Sequence, residues 1–178
     1  MKRFPLVVLV VLMTAVTAAS VQKTQPRVDE IVLEGWQGMG TDGDPIGAAF
    51  KTALRRDGTA LFTGKAQVKL IGDFQGTISS AEFEKLLSFL VARKYDRIHE
   101  DPVNRDQISP AFGNERFPWD RGSPYMITRV VYEGGKTKNI FRPTTAWGID
   151  LKHIPKQLFE IEQAIFDAAT RIRWAKTK

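Results

Sequence analysis

The chain has 178 residues and is basic, with 26 Lys and Arg against 20 Asp and Glu and a formal net charge of +6. It contains no cysteine, which excludes disulfides, a thiolate nucleophile and Cys-ligated zinc or iron–sulfur clusters. Its basic residues form no run of five or six, so we expect the charge to serve solubility and expect no nucleic-acid partner. The alternative is a polyanion site formed by the basic residues near the C-terminus, Arg171, Arg173, Lys176 and Lys178.

The first twenty residues have the pattern of a secretory signal peptide. Lys2 and Arg3 precede an apolar run from Leu6 to Val16, and small residues follow at positions 17–20. The apolar run of about eleven residues is shorter than the roughly 20 that a transmembrane helix needs. We therefore expect cleavage near Ala18–Ser20, export to the periplasm or the medium, and a mature chain without a transmembrane segment.

After a flexible polar lead-in over residues 21–30, the sequence predicts a single domain over residues 31–175. Its first elements are a strand at Ile31–Leu33 and a glycine-rich loop from Gly35 to Gly47. Next comes a hairpin from Phe50 to Gly64, because Asp57–Gly58 is a strong turn signal.

The face on which Phe62 lies decides between two lengths for the loop of this hairpin. A two-residue loop would pair Leu54 with Leu61 and leave Phe62 on the opposite face. A three-residue loop at 56–58, with Gly58 left-handed, pairs Leu54 with Ala60 and puts Phe50 on the same face as Phe62. We therefore predict the three-residue loop.

The rest of the chain predicts a strand, a helix, a second hairpin and a last helix. The strand is Val68–Ile78, and Ser79 with Glu82 forms a capping box for a helix ending near Lys94. A long polar segment from Tyr95 to Ser123 precedes the second hairpin, which joins 124–132 to 137–141. The two helices carry apolar residues at helical spacing: Phe83, Leu86, Leu87, Leu90 and Val91 in the first, and Leu158, Ile161, Ala164, Ile165 and Ala168 in the second.

Residues 142–154 are predicted to be irregular, Pro155 suits the first turn of the last helix, and residues 171–174 close the domain, with Trp174 in the core. This order of elements predicts an α+β fold. Antiparallel β-hairpins form one sheet, and the two helices pack on one of its faces as a two-layer sandwich.

In order along the chain, these segments resemble an exported bacterial family known only as domain of unknown function 6438. The resemblance is carried by 31–34, the hairpin 56–64, 76–78 leading into 83–86, Gly134–Lys138, the last helix and Arg173–Trp174. It differs from the family at Gly35–Gly47, which lacks the Cys that members often carry there. The resemblance implies the fold and export, and it implies no activity.

Two patterns raise the question of catalysis or cofactor binding. Gly38–Gly43 matches G-x-G-x-x-G after a strand, and helix-like spacing follows at 46–54, as in a dinucleotide-binding βαβ unit. The acid expected after the second strand is absent, and Lys65 stands there. We therefore interpret this segment as a glycine-rich loop and predict no cofactor.

The second pattern is a pair of loops that contain the two histidines. If these loops met, they would form a metal site or supply a general base for a hydrolase; the residues are His99, Asp101, Asp150 and His153. Nothing in their spacing requires the loops to meet, so we predict no metal, and the hydrolase stays the alternative function.

The long segment 96–123 carries the most informative surface residues. Loops of more than about 12–15 residues are uncommon in compact domains unless they are functional or disordered. This one combines arginine with aromatic residues, the composition of binding hot spots. We therefore predict a non-enzymatic module that binds an envelope protein or polymer through Phe117, Trp119 and Arg121, supported by Trp147.

Overall fold

A computed structural model describes residues 27–36, 48–100, 125–144 and 154–177. These residues form an antiparallel sheet of seven strands. Both helices pack on one face of it, and the predicted α+β fold is confirmed. The elements are β1 (Val28–Trp36), β2 (Ala49–Arg55), β3 (Thr59–Ala66), β4 (Gly72–Thr77), α1 (Ser80–Ala92), β5 (Tyr125–Tyr132), β6 (Thr137–Pro143), α2 (Lys156–Thr170) and β7 (Ala175–Lys176). The strands lie in the order β6–β5–β1–β2–β3–β4–β7 across the sheet.

Strand β1 is an interior strand of the sheet, between β5 and β2, and contributes to the core. Ile31 and Leu33 are 0% and 2% exposed, and they point toward the helices. The strand begins at Val28, so three residues predicted as lead-in belong to the sheet. β2 runs antiparallel to β1 directly beside it. A dinucleotide-binding βαβ unit, which needs a helix between parallel strands, is therefore excluded at this point of the chain.

The first hairpin has the predicted loop and register. Leu54 pairs with Ala60 and Thr52 pairs with Phe62, while Gly58 has a φ of 90°, a conformation that favours glycine. The strand predicted at Val68 begins only at Gly72. Residues 67–71 instead fold back as a loop, and a Cβ on Gly64 would clash with the carbonyl oxygen of Leu70.

Helix α1 begins at the predicted cap. The Ser79 hydroxyl accepts a hydrogen bond from the Glu82 N–H at 3.2 Å and donates to the Glu82 carboxylate at 3.0 Å. Phe83, Leu86 and Leu90 are buried as expected. Val91 is not part of this buried face, since it is 51% exposed.

The segment predicted to be polar after α1 starts with a core residue. Tyr95 is 3% exposed, and its hydroxyl donates to the carbonyl oxygen of Thr128 at 2.8 Å, with the carbonyl oxygen of Lys138 3.1 Å away. Ile98 is also buried. Tyr95 therefore fixes the chain leaving α1 against both strands of the second hairpin.

Along α2 and the chain that follows it, successive residues contact strands from one edge of the sheet toward the other. Glu162 contacts Arg142 on β6, and the Phe166 ring lies edge-on to Phe50 of β2. Beyond the helix, Trp174 contacts Phe62 of β3, and β7 pairs with β4. The predicted stripe is buried at Leu158, Ile161 and Ile165, whereas Ala164 and Ala168 are half-buried.

Gly76 of β4 provides the space for this C-terminal crossing. A Cβ at this position would clash with the Ile172 side chain and lie 2.9 Å from the carbonyl oxygen of Arg173. The Trp174 ring would be 3.3 Å away. The chain after α2 therefore lies directly on the strand backbone, and any side chain at position 76 displaces it.

We expect Gly76→Ala to lower the free energy of unfolding by about 1–3 kcal/mol, because overpacking a close contact forces the chain apart. Urea unfolding followed by circular dichroism measures the change. Gln75→Ala, at an exposed position of the same strand, is the matched control. A Gly76→Ala variant as stable as the wild type would contradict this packing.

Candidate functional site

A cavity of about 650 Å³ lies between the C-terminal half of α2 and strands β2 and β3. Its floor is formed by the strands, and its walls are formed by α2, the 67–71 loop and the chain after α2. Ligand pockets have volumes of about 300–1,000 Å³ and are mostly apolar. The cavity has the volume and the mostly apolar lining that are typical of ligand pockets.

Four aromatic side chains line the cavity. We call Phe50, Phe62, Phe74, Phe166 and Trp174 the aromatic cluster. Phe50 and Phe62 stack with their ring centroids 6.5 Å apart and their planes 14° apart. Phe166 lies edge-on to Phe50 at 6.4 Å, and Trp174 lies 5.6 Å from Phe62. All of the cluster except Phe74 lines the cavity.

The orientation of Trp174 is fixed by a hydrogen bond. Its indole N–H donates to the carbonyl oxygen of Ala169 at 3.1 Å, so the polar end of the ring has its partner on α2. The apolar part of the ring then faces the aromatic cluster. Phe166 differs from the other members, because 47% of its surface is exposed. It therefore presents an apolar face at the mouth of the cavity.

Polar side chains stand at the edge of the cavity. Lys69 and Gln67 come from the loop between β3 and β4, and Thr170 comes from the end of α2. Gln67 has a left-handed φ of 46°, which costs a non-glycine residue about 1–2 kcal/mol. Strain of this kind collects at ligand sites. Among the described residues that line the cavity, Lys69 carries the only charge.

An ion pair near the middle of α2, one turn before Phe166, holds this helix on the sheet. Both partners are buried, and the Arg142 guanidinium donates two bonds of 2.8 Å and one of 2.5 Å to the Glu162 carboxylate. The guanidinium also lies 4.6 Å from the centre of the Phe159 ring. Arg142 was predicted to lie in an irregular segment; it is instead the buried end of β6.

Burial raises the pKa of Glu162, and the Arg142 guanidinium opposes that shift. A raised pKa means that the folded protein holds this proton more tightly than the unfolded chain does. The stabilisation from this shift is therefore complete below the unfolded-state pKa, and it is lost as the pH rises through the folded-state pKa.

The residues predicted to bind a partner, Phe117, Trp119, Arg121 and Trp147, lie outside the described residues. So does the glycine-rich motif at 38–43. Of the residues considered for a hydrolase, His99 is exposed, and Asp101, Asp150 and His153 lie outside the described part. Within residues 27–36, 48–100, 125–144 and 154–177, no group of His, Asp and Glu is placed to hold a metal ion.

The basic C-terminal residues considered for a polyanion are only partly described. Arg171, Arg173 and Lys176 are exposed, and Lys178 lies outside the described residues. The Arg171 guanidinium donates to the carbonyl oxygen of Asp167 at 3.1 Å. Arg171 therefore also helps to close the end of α2.

Sequence reasoning placed Phe50 and Phe62 on one face but missed the cavity that they line. Phe159 and Phe166 stood outside the predicted stripe of α2, although their spacing of seven residues puts them on one side of the helix. That spacing was the available signal for a second apolar surface. No such signal predicted that the 67–71 loop lines the cavity, since the apolar residues there favoured a continuous strand.

Comparison with known proteins adds no identification. No family model matches the chain, and no curated protein matches it significantly. The resemblance to domain of unknown function 6438 therefore stays a prediction. In the described part of the chain, neither helix has the length and apolar character needed to cross a membrane.

We expect Glu162→Ala to lower the free energy of unfolding by about 3–5 kcal/mol, because it leaves the buried Arg142 guanidinium without the side-chain acceptor of its hydrogen bonds. The double variant Arg142→Met/Glu162→Met should recover most of that loss. Glu30→Gln, which breaks an exposed pair with Arg55 of 2.6 Å, should cost less than about 1 kcal/mol. Urea unfolding of the variants side by side measures these differences. Equal, small effects of Glu162→Ala and Glu30→Gln would contradict the anchoring role.

Proposed function

We propose that this protein is an exported, non-enzymatic binding module of the cell envelope, and that the cavity beside α2 receives an apolar part of its ligand. The observation that carries the proposal is the aromatic lining. Phe50, Phe62, Phe166 and Trp174 line a cavity of about 650 Å³. Aromatic side chains contribute large contact areas at low entropic cost, and they dominate binding energies where they line pockets.

The exposure of Phe166 supports the same proposal. Large side chains in a finished core are buried, as Phe83 is at 1%. Phe166 keeps 47% of its surface exposed beside other apolar groups. Exposed apolar surface that is continuous with a cavity is typical of ligand sites. A bound apolar group would cover this ring and complete the packing around it.

Export and the envelope partner rest on the sequence. The N-terminal pattern of Lys2, Arg3 and the apolar run supports secretion. The aromatic and arginine residues Phe117, Trp119, Arg121 and Trp147 support a second contact surface for the envelope protein or polymer. The cavity and this second surface are two separate proposals. A substitution in the cavity tests only the first, and a substitution among these four residues tests only the second.

The neutral dye Nile red tests the cavity, since its fluorescence rises in an apolar site. We expect saturable binding that Phe166→Ala weakens about fivefold, the loss that about 1 kcal/mol of aromatic contact produces. The matched control is Phe159→Ala, an exposed aromatic on the same helix that stacks on Arg142 outside the cavity. It should bind the dye as the wild type does.

Absence of saturable dye binding, or equal effects of Phe166→Ala and Phe159→Ala, would contradict a binding role for the cavity. Trp119→Ala should leave dye binding unchanged, because it belongs to the second proposed surface. His99→Ala and His153→Ala should also leave it unchanged. Loss of a hydrolytic activity in these two histidine variants would instead favour the alternative hydrolase.

A further inference from the structure

We propose that the cavity beside α2 binds an amphipathic carboxylate, with its hydrocarbon chain against the aromatic cluster and its carboxylate at the Lys69 ammonium. This inference rests on the proposed function, because it names the ligand class of the same cavity. Three features of the cavity lead to it: the apolar interior, the volume, and the single charge at the edge.

The interior is mostly apolar and accepts hydrocarbon; of the described strand residues that line it, Thr52 alone is polar. The floor and walls are formed by residues such as Leu33, Phe50, Phe62, Ile165 and Trp174. The Trp174 indole N–H is already bonded to Ala169, so it is not free to bind a ligand. A polar group placed against these side chains would lose its hydration without gaining a partner. The buried part of the ligand is therefore apolar.

The volume favours a chain over a single small ring. The cavity of about 650 Å³ is roughly twenty times the ~30 Å³ that one water molecule occupies in the liquid. A methylene group is of similar size to a water molecule. An acyl chain of roughly ten to sixteen carbons therefore occupies about half to three quarters of the space, whereas a single six-carbon ring occupies only about a quarter of it.

The charge at the edge selects the head group. Lys69 is exposed on the 67–71 loop and lines the cavity, and the described lining residues include no Asp or Glu. A lysine side chain lays its apolar stem along an apolar surface and keeps its ammonium in water. An anion at the mouth gains this attraction, whereas a cation is repelled. The chain is basic overall with or without residues 1–20, and this charge acts in the same direction.

The test compares three ligands with the same twelve-carbon chain in displacing Nile red: laurate, dodecanol and dodecyltrimethylammonium, all below their micelle concentrations. We expect laurate to displace the dye at about tenfold lower concentration than dodecanol, and the cation to be the weakest. Lys69→Glu should weaken laurate about tenfold or more and leave dodecanol unchanged. Lys85→Glu, at an exposed position on α1, is the matched charge control and should change neither.

Equal displacement by laurate and dodecanol, with laurate unaffected by Lys69→Glu, would overturn the carboxylate inference. The proposed function would survive that result, because an apolar ligand would still occupy the cavity. If none of the three ligands displaces bound dye, the inference is overturned. The dye would then bind the cavity, but aliphatic chains of this length would not. Sedimentation of the protein with phosphatidylglycerol vesicles that requires Lys69 and is not inhibited by laurate would also overturn the inference. In that case the anion that Lys69 binds would be part of a membrane surface.

Discussion

The buried pair of Arg142 and Glu162 fixes the middle of α2 over one edge of the sheet. A guanidinium and a carboxylate removed from water must meet each other, because either one alone in the core is strongly destabilising. Glu162 therefore lies over the edge strand β6, and the apolar stripe of the same helix covers the strands next to it. The chain after α2 then has only the β3–β4 side of the sheet left to cover, and it reaches β4 by crossing Gly76.

The cavity is a consequence of this path. Where α2 ends, the sheet presents Phe50 and Phe62, whose stacked rings support the helix at Phe166 without filling the space beside it. The 67–71 loop and Trp174 enclose that space from two sides without occupying it. The same helix is thus a structural cover at Glu162 and a cavity wall at Phe166. The two positions are one helical turn apart, and they differ because the first is closed by an ion pair and the second borders the cavity.

Local signals predicted most of the fold. The loop length of the first hairpin was predicted from the turn signal at Gly58 and from placing Phe50 and Phe62 on one face. The start of α1 was predicted from the cap at Ser79. The same signals failed where long-range contacts decide. Tyr95 and Arg142 looked like loop residues, because no local pattern shows that their partners are the carbonyl oxygen of Thr128 and the Glu162 carboxylate. The cavity escaped prediction for the same reason, since its walls come from four separate parts of the chain.

The most direct test of this account is a two-dimensional ¹H–¹⁵N NMR titration of the protein with laurate. The account predicts that shifts concentrate at the Trp174 indole and at the amides of the 67–71 loop and of Phe166 to Thr170. Resonances of Ile127 and Phe141, on the sheet face away from the helices, should stay in place. Shifts confined to that opposite face, or no shifts at saturating laurate, would contradict the central claim that the cavity beside α2 is the binding site.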